Sequence, residues 1–295
     1  MKISVVISAY NEEKKIERCL KSVLWADEII LVDNQSIDNT FRIAQKYADK
    51  IFSRPNSRML NVNKNYGFKK ASGEWILSLD ADEIVEEKLR EEIGYAINNS
   101  QTDEGKKICG FYIPRKNIIF KKWIRHTGWY PDYQLRLFKK GKGSFPEKHV
   151  HEKIIIDGET KKMKNHLLHE NYETVSQFIQ KLDLYTDSEA ENFISEGNRR
   201  FDLQVFEMMR NEFLKRYFAE GGYKDDLHGL ILSYLMSFYY LVVYAKIWEK
   251  SGFPESKLLL TDFKKDFEKN SKEIEYWLKK ISGGGIIKEI KSRLF

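Results

Sequence analysis

The stretch ISVVISAYNEEKKIERCLKSV, Ile3 to Val23, changes its periodicity part-way along. Ile3 to Ile7 is a near-continuous apolar run rich in β-branched residues, the pattern of a strand buried on both faces. Ile16, Cys19, Leu20 and Val23 then recur at spacings of three and four, which is one face of a helix. A buried strand feeding an amphipathic helix is a β-α unit, and the chain repeats it. Glu28 to Val32 (EIILV) reads as a second strand, Asn39 to Ala48 as a second helix, and Ile51 with Phe52 as a short third strand. Asn63 to Ala71 reads as a helix stopped by Ser72-Gly73, and Glu74 to Leu79 (EWILSL) as a further buried strand that ends at Asp80. Alternation at this pitch predicts a parallel, doubly wound sheet, whose ligand crevice lies outside the carboxyl ends of its strands.

From Cys109 onward, CGFYIPRKNIIF and WIRHTGWYPDYQLRLFKKGKGSF are aromatic and turn-rich, and they predict antiparallel strands with long loops. Beyond Thr174 the spacing is helical (Phe178, Leu182, Tyr185; then Phe206, Met209, Phe213), with Gly283 to Gly285 as a linker to the tail IIKEIKSRLF. The reading is an α/β domain over 1–172 and a helical region over 173–295. With 295 residues, 42% of them apolar, the chain is long enough for both, and disorder is excluded. Lys plus Arg 50 against Asp plus Glu 44 gives +6, spread along the chain, which argues against a nucleic-acid partner. Cys19 and Cys109 make no disulfide framework and have no metal-type spacing, so they read as buried thiols of a reducing, cytoplasmic compartment. The N-terminus lacks the long apolar region and cleavage site of a signal peptide.

Three polar clusters close successive predicted strands on one sheet edge. In SAYNEE, Ser8 to Glu13, Asn11 suits a helix cap and Glu12 and Glu13 suit the positive end of that helix. In LVDNQSIDNT, Asp33 ends a buried strand, while Ser36 and Asp38 read as turn formers. In LDADE, Asp80 and Asp82 are hard oxygen donors of the kind that share Mg²⁺ or Mn²⁺ with phosphates, and either a metal or a basic partner would relieve their repulsion. No P-loop and no Gly-x-Gly-x-x-Gly fingerprint is present, against the ATPase and dehydrogenase readings of this topology.

SVVISAYNEEKKIERCLKSV, DEIILVDNQSIDNT and GEWILSLDADE, in that order, resemble the nucleotide-sugar domain of inverting family 2 glycosyltransferases of the GT-A fold, over roughly residues 1 to 150. The resemblance implies a Rossmann-like mixed sheet of the nucleotide-diphospho-sugar transferase type, a UDP-sugar donor, and Mg²⁺ or Mn²⁺. By that likeness Ala9, Tyr10 and Glu12 line the base and ribose, and Asp33 hydrogen-bonds the uracil. Asp80, Ala81 and Asp82 form the Asp-x-Asp motif, with Asp82 the more direct metal ligand. Arg58 and Lys64 or Lys69 are candidates for the sugar-diphosphate contacts, beside the plainer reading of a solvated helix face.

An inverting transfer needs a base for the acceptor hydroxyl. Asp132 in HTGWYPDYQLRLF matches the acidic residue of the family's acceptor loop, and desolvation among Trp129, Tyr130 and Tyr133 is expected to raise its pKa. Gln134 and Arg136 match the Gln-x-x-Arg-Trp signature of processive synthases only loosely, which implies transfer of a single sugar. In EKHVHEK, alternation places His149 and His151 on one strand face, so that His151 could complete a metal shell; the plainer reading is exposed histidines. His126, His166 and His169 have weaker claims. WYPDYQLRLF followed by VHE resembles the bacterial transferases that add glucose to the lipopolysaccharide inner core. This implies UDP-glucose as donor and a lipopolysaccharide-core or lipid-linked glycan as acceptor, with Trp129, Tyr130, Gln134, Arg136 and Glu152 on the acceptor side.

Arg199, Arg200, Arg210, Lys215 and Arg216 interleave with aromatics ahead of GLILSYLMSFYYLVVYA, Gly229 to Ala245, which is uncharged and just short of the roughly 20 residues needed to span a bilayer. We read this as a peripheral device at the inner face of the cytoplasmic membrane, with a buried helix or a homodimer contact as the alternative. A non-catalytic nucleotide-sugar-binding scaffold of the same fold is the rival function. A nucleotidyltransferase would carry a Gly-rich, Arg-containing loop after the first strand, and SAYNEE has none.

Overall fold

The computed structural model describes residues 1–56, 60–101, 105–147, 152–196, 204–255 and 260–282. The chain divides into two compact units, Met1–Arg125 with Trp129–Glu173, and His126–Gly128 with Thr174–Phe295.

The first unit runs β1 (Ile3–Ala9), α1 (Ile16–Lys21), β2 (Glu28–Asp33), α2 (Thr40–Ala44), β3 (Lys50–Ser53), α3 (Leu60–Lys70), β4 (Trp75–Asp80), β5 (Glu83–Val85) and α4 (Glu87–Asn98). It continues with β6 (Ile108–Ile119), β7 (Lys122–Trp123), β8 (Asp132–Lys139), β9 (Gly143–Ser144), β10 (Ile155–Ile156), β11 (Glu159–Lys162) and β12 (Leu167–Tyr172). The main sheet has the order β3-β2-β1-β4-β8-β6-β12-β5, with β7 and β11 paired to β6. The four strands β3, β2, β1 and β4 are mutually parallel, and β8 enters antiparallel to both β4 and β6. The sheet is therefore mixed rather than wholly parallel. Nor is the second half wholly antiparallel, because β11 and β12 run parallel to β6.

Alternation along each strand builds a core on both faces, which is why the strands read as continuous apolar runs. Ile3, Val5 and Ile7 of β1 join Leu31, Trp75, Leu77 and Leu79 on one face, while Val6, Ile30 and Ile76 meet Phe68 and Phe138 on the other. Helix α3 lies so close to the sheet that a Cβ on Gly67 would stand 2.5 Å from the Val6 side chain. The helix begins at Leu60, three residues before its sequence-based start, and α2 ends at Ala44, four residues before its expected end. Strand β5 and helix α4 lie in a stretch to which the sequence patterns assigned no element. Both cysteines are free and buried. Gly283 to Gly285 lie outside the described residues.

A carboxylate, Glu28, is enclosed at the start of β2. It accepts from Ser4 Oγ at 2.5 Å, from the Ser72 amide at 2.7 Å and from Lys50 Nζ at 2.5 Å, with its side chain 8% exposed. Burial pushes its pKa up, but Lys50, Ser4 and Ser72 outweigh that and bring it down to about 2 from 4.5. A depressed carboxylate contributes stability above its unfolded pKa, lost as pH falls from about 4.5 toward 2; the full contribution is about 3 kcal/mol. Urea unfolding should find Glu28→Gln less stable than wild type at pH 7, with the gap about halved at pH 3.

The second unit is helical: α5 (Val175–Ser195), α6 (Gln204–Leu214), a π-helical turn (Lys215–Ala219), a 3₁₀ turn (Gly222–Asp225), α7 (Asp226–Lys250) and α8 (Leu260–Ser282). The segment Gly222–Lys250 is long and apolar enough to cross a membrane by length and composition, with a mean hydropathy of 1.6 over a window that is 28% buried. Of the basic residues ahead of it, two are enclosed by acidic partners. Arg210 is buried and pairs with Asp266, and Arg216 pairs with Glu212. Arg199 and Arg200 lie outside the described residues.

Candidate functional site

The carboxyl ends of β1, β2 and β4 lie side by side, since Ala9 is in register with Asp33 and Ser8 with Asp80. Because β8 runs antiparallel to β4, with Leu77 opposite Leu137, its first residue, Asp132, emerges at the same edge. Asp33, Asp80, Asp82 and Asp132 are thus gathered on one rim of one sheet.

The first two loops brace each other across that rim. The amides of Asn11, Glu12 and Glu13 donate to Ser36 Oγ at 3.0 Å, Thr40 Oγ1 at 2.7 Å and Asp38 Oδ2 at 3.1 Å. Asn11 is therefore not the cap of α1: its φ is 54°, its Oδ1 accepts from the Ile37 amide, and Lys15 stands at the cap position, its side chain making no capping bond. Ser36 and Asp38 are more than turn formers, because they satisfy the amides of the other loop. Ala9 and Ala81 are buried beneath the rim and Tyr10 is 40% exposed above it. Asp33 is 2% exposed; its Oδ2 accepts from the Ser36 amide at 3.2 Å, and nothing among the described residues donates to its buried Oδ1.

Helix α3 turns a polar face inward. Asn63 Nδ2 donates to Asn34 Oδ1 at 2.7 Å, and Asn65 Nδ2 to the Phe145 carbonyl at 2.9 Å. One residue along from Asn63, Lys64 pairs with Asp80 Oδ1, and Arg136 pairs with Asp80 Oδ2. Burial pushes the Asp80 carboxyl up, yet Arg136 and Lys64 hold it well below the usual carboxylate range. Lys64 and Arg136 together compensate the charge of Asp80. Arg136, which the sequence places among the acceptor-side candidates, is 5% exposed and donates to Glu83 Oε1 at 2.6 Å as well as to Asp80. Burial lowers its pKa and the two carboxylates more than restore it, so the guanidinium stays charged. Glu83, fully buried, also accepts from the Asp80 amide at 3.0 Å.

The register of the far strands supplies the rest. Glu83 of β5 is paired with His169 of β12, and His169 with Asn117 of β6; two residues before Asn117, Arg115 is paired with Asp132 of β8. Arg115 donates to Asp132 Oδ2 through Nε at 2.7 Å and also through Nη2, while Gln134 Nε2 donates to Oδ1 at 2.7 Å. The expected rise in the pKa of Asp132 is reversed. Burial acts upward, but Arg115, Gln134 and Asn117 favour the ionised form and leave the carboxyl below its ordinary value. Trp129 gives its carbonyl to Asn117 Nδ2 at 2.7 Å, and Tyr130 packs edge-on to Trp123 at 5.4 Å. Glu152 accepts from the Glu147 amide at 2.7 Å, bracing its own loop.

His169, ranked low by sequence, lies beside the Asp-x-Asp motif. It is 6% exposed, its Nδ1 lies 2.6 Å from Asn117 Oδ1, and its Nε2 lies 3.5 Å from Asp82 Oδ2. With Nδ1–H assigned to the Asn117 oxygen, Nε2 is the ring atom that faces the carboxylate. An imidazole nitrogen and a carboxylate oxygen are both metal-ligating atoms. Among the described residues no group of three or more such ligands is present, so the pair would leave further positions to phosphate oxygens and water. Arg58, His149 and His151 lie outside the described residues. Cys19, beneath the motif, is inert: burial, reinforced by Glu83, Asp82 and Asp80, pushes its thiol well up.

The profile of glycosyl transferase family 2 matches residues 4–156. The chain belongs to this family. Its sheet, with parallel strands followed by an antiparallel insertion, is that of a GT-A glycosyltransferase. The family 2 chain is 27% identical to the lipopolysaccharide core biosynthesis glycosyltransferase LpsC of Rhizobium meliloti, over 84% of this chain and 92% of that one. It is 24% identical to an uncharacterized glycosyltransferase of Rickettsia typhi, over 85% and 88%. Among solved structures, a mannosyltransferase from Pyrobaculum calidifontis in complex with GDP-Man and Mn²⁺ is 14% identical over 87% and 76%, with a TM-score of 0.46.

Proposed function

We propose that this family 2 enzyme moves a single sugar from a UDP-sugar, with UDP-glucose the first candidate, to a lipopolysaccharide-core or lipid-linked glycan, with inversion at the anomeric carbon. The observation that carries the reading is the convergence of Asp33, Asp80, Asp82 and Asp132 on one sheet edge. The relationship to LpsC supports the acceptor class. Residues 1–172 bind and transfer, and residues 173–295 serve association.

Asp33, with Ala9, Tyr10 and Glu12, takes the uracil and ribose. Asp80 keeps Lys64 and Arg136 at the donor end, where their charge faces the diphosphate. Asp132 accepts the acceptor hydroxyl proton as the acceptor oxygen bonds to the anomeric carbon; the bond to the diphosphate breaks and its electron pair leaves with UDP. Asp82 and His169 are the residues that would hold Mg²⁺ or Mn²⁺, whose bound charge stabilises a departing diphosphate. Titration with Mn²⁺ in the presence of UDP should show at least a tenfold weaker affinity, roughly, in His169→Ala than in wild type. Equal affinities would remove His169 from the metal site.

Release of UDP from a panel of UDP-sugars, with and without Mn²⁺ or Mg²⁺, tests the whole reading. Metal-dependent release from one donor identifies the sugar; no release from any, with no binding of UDP, leaves the scaffold reading. The second unit is assigned to the inner face of the cytoplasmic membrane, because Leu227, Tyr234 and Phe238 of α7 and Leu260 and Phe267 of α8 expose apolar surface. Co-sedimentation with anionic phospholipid vesicles supports this, and a dimer with no vesicle binding replaces it with a contact between two copies.

A further inference from the structure

Resting on the base role of Asp132, we propose that Arg115 is a positioning residue for the transfer step, orienting the Asp132 carboxylate and linking it to the donor end through Glu83 and Arg136. The contacts form an unbroken alternation of charge. Lys64 and Arg136 hold Asp80, Arg136 holds Glu83, and Arg115 lies between Glu83 and Asp132. Arg115 Nη1 stands 3.7 Å from Glu83 Oε1, the same oxygen that accepts from Arg136 at 2.6 Å.

Neutralising buried charge does not explain Arg115. Glu83 has no exposure and needs a cation, but Arg136, itself almost wholly buried, already supplies one. Arg115 instead commits two N–H groups to one oxygen of Asp132, whose side chain is 21% exposed and has access to water. Two N–H groups on one oxygen fix the direction of a carboxylate that still has an edge open to water. Oδ2 is fixed toward Arg115, and Oδ1 faces the Gln134 amide. The acceptor proton then goes to Oδ1, the oxygen that the guanidinium does not hold. The groups facing Asp132 are Arg115 and Asn117 from β6 and Gln134 on its own strand, with Glu83 of β5 and Arg136 of β8 behind Arg115. Among the described residues Arg115 is thus the full positive charge in contact with the base, and it also shifts the pH at which the base becomes available.

The test uses the full chain and UDP-glucose hydrolysis, with UDP release followed across roughly pH 4 to 9. Arg115→Gln should lower kcat about 100-fold and leave the KM for UDP-glucose within about threefold of wild type, because the damage falls on the orientation of the base and not on donor binding. The acidic limb of kcat should move to higher pH, added guanidinium ion should restore part of the activity, and Arg115→Lys should lie between wild type and Arg115→Gln. If the limb stays in place with no rescue, or KM rises in step with the loss of kcat, Arg115 is structural packing and the proposal is overturned. If Arg115→Gln does not fold, Arg115→Lys carries the same comparison. Failure of the underlying reading looks different: Asp132→Asn keeps full turnover, or the wild type releases no UDP from UDP-glucose.

Discussion

Asp132→Asn lowers kcat for UDP-sugar turnover about 1,000-fold and leaves UDP-sugar affinity, measured by calorimetry, near that of wild type. The asparagine keeps the size of the side chain and one oxygen to accept from Arg115 but has no anionic oxygen to take a proton. Donor binding is spared because Asp132 pairs with Arg115 and Gln134, whereas the proposed donor contacts lie on β1, β2, β4 and α3 and, through Arg136, further along β8. The pH dependence has a definite sign. With its carboxyl held below the ordinary range by Arg115 and Gln134, the base form persists into acid, and activity fades only as pH falls through that lowered value. Turnover that survives the substitution would move the base elsewhere.

Arg136→Met destabilises the first unit by about 3–5 kcal/mol in urea unfolding, the largest loss expected from a polar substitution in this protein. Methionine fills the volume but leaves Glu83, fully buried, without its close cation, holding only the Asp80 amide at 3.0 Å and Arg115 at 3.7 Å among the described residues, and leaves Lys64 as the ion-pair partner of Asp80. An uncompensated carboxylate in a closed site costs far more than the pair contributed. Arg136→Lys should recover only part of the loss, since a single ammonium cannot reproduce the guanidinium's planar fork of donors. A loss below about 1 kcal/mol would mean that water or Lys64 replaces the guanidinium. Turnover should fall too, because Arg136 is the link between Asp80 and Glu83.

Sequence alone determined the parts that are local. A strand buried on both faces must be a continuous apolar run, so β1, β2 and β4 were legible, and with them the carboxylates that close β2 and β4, because polar residues end such runs. The three motifs fell on one edge for the same reason: parallel strands with helical crossovers put all their carboxyl ends together. The helical character of the described residues beyond Thr174 followed from the 3.6-residue spacing, and the buried thiols from the lack of any disulfide pattern.

What tertiary structure decided is how distant polar residues pair. Arg115 and His169 sit within strands where a charge reads as an ordinary solvent-facing residue, and Glu83 reads as one more acid in an acidic turn. Only the register of β5, β12, β6 and β8 brings Glu83, His169 and Asn117 onto one line and Arg115 onto Asp132. The pKa of Asp132 failed for that reason. Its aromatic neighbours in sequence foretold desolvation, while the guanidinium that outweighs desolvation comes from another strand, 17 residues away. Asn11 misled similarly, since a cap is a local inference and its actual partner lies in the next loop. Periodicity is set by the immediate neighbours of each residue and can be read along the chain, whereas charge compensation is set by whatever the sheet places alongside.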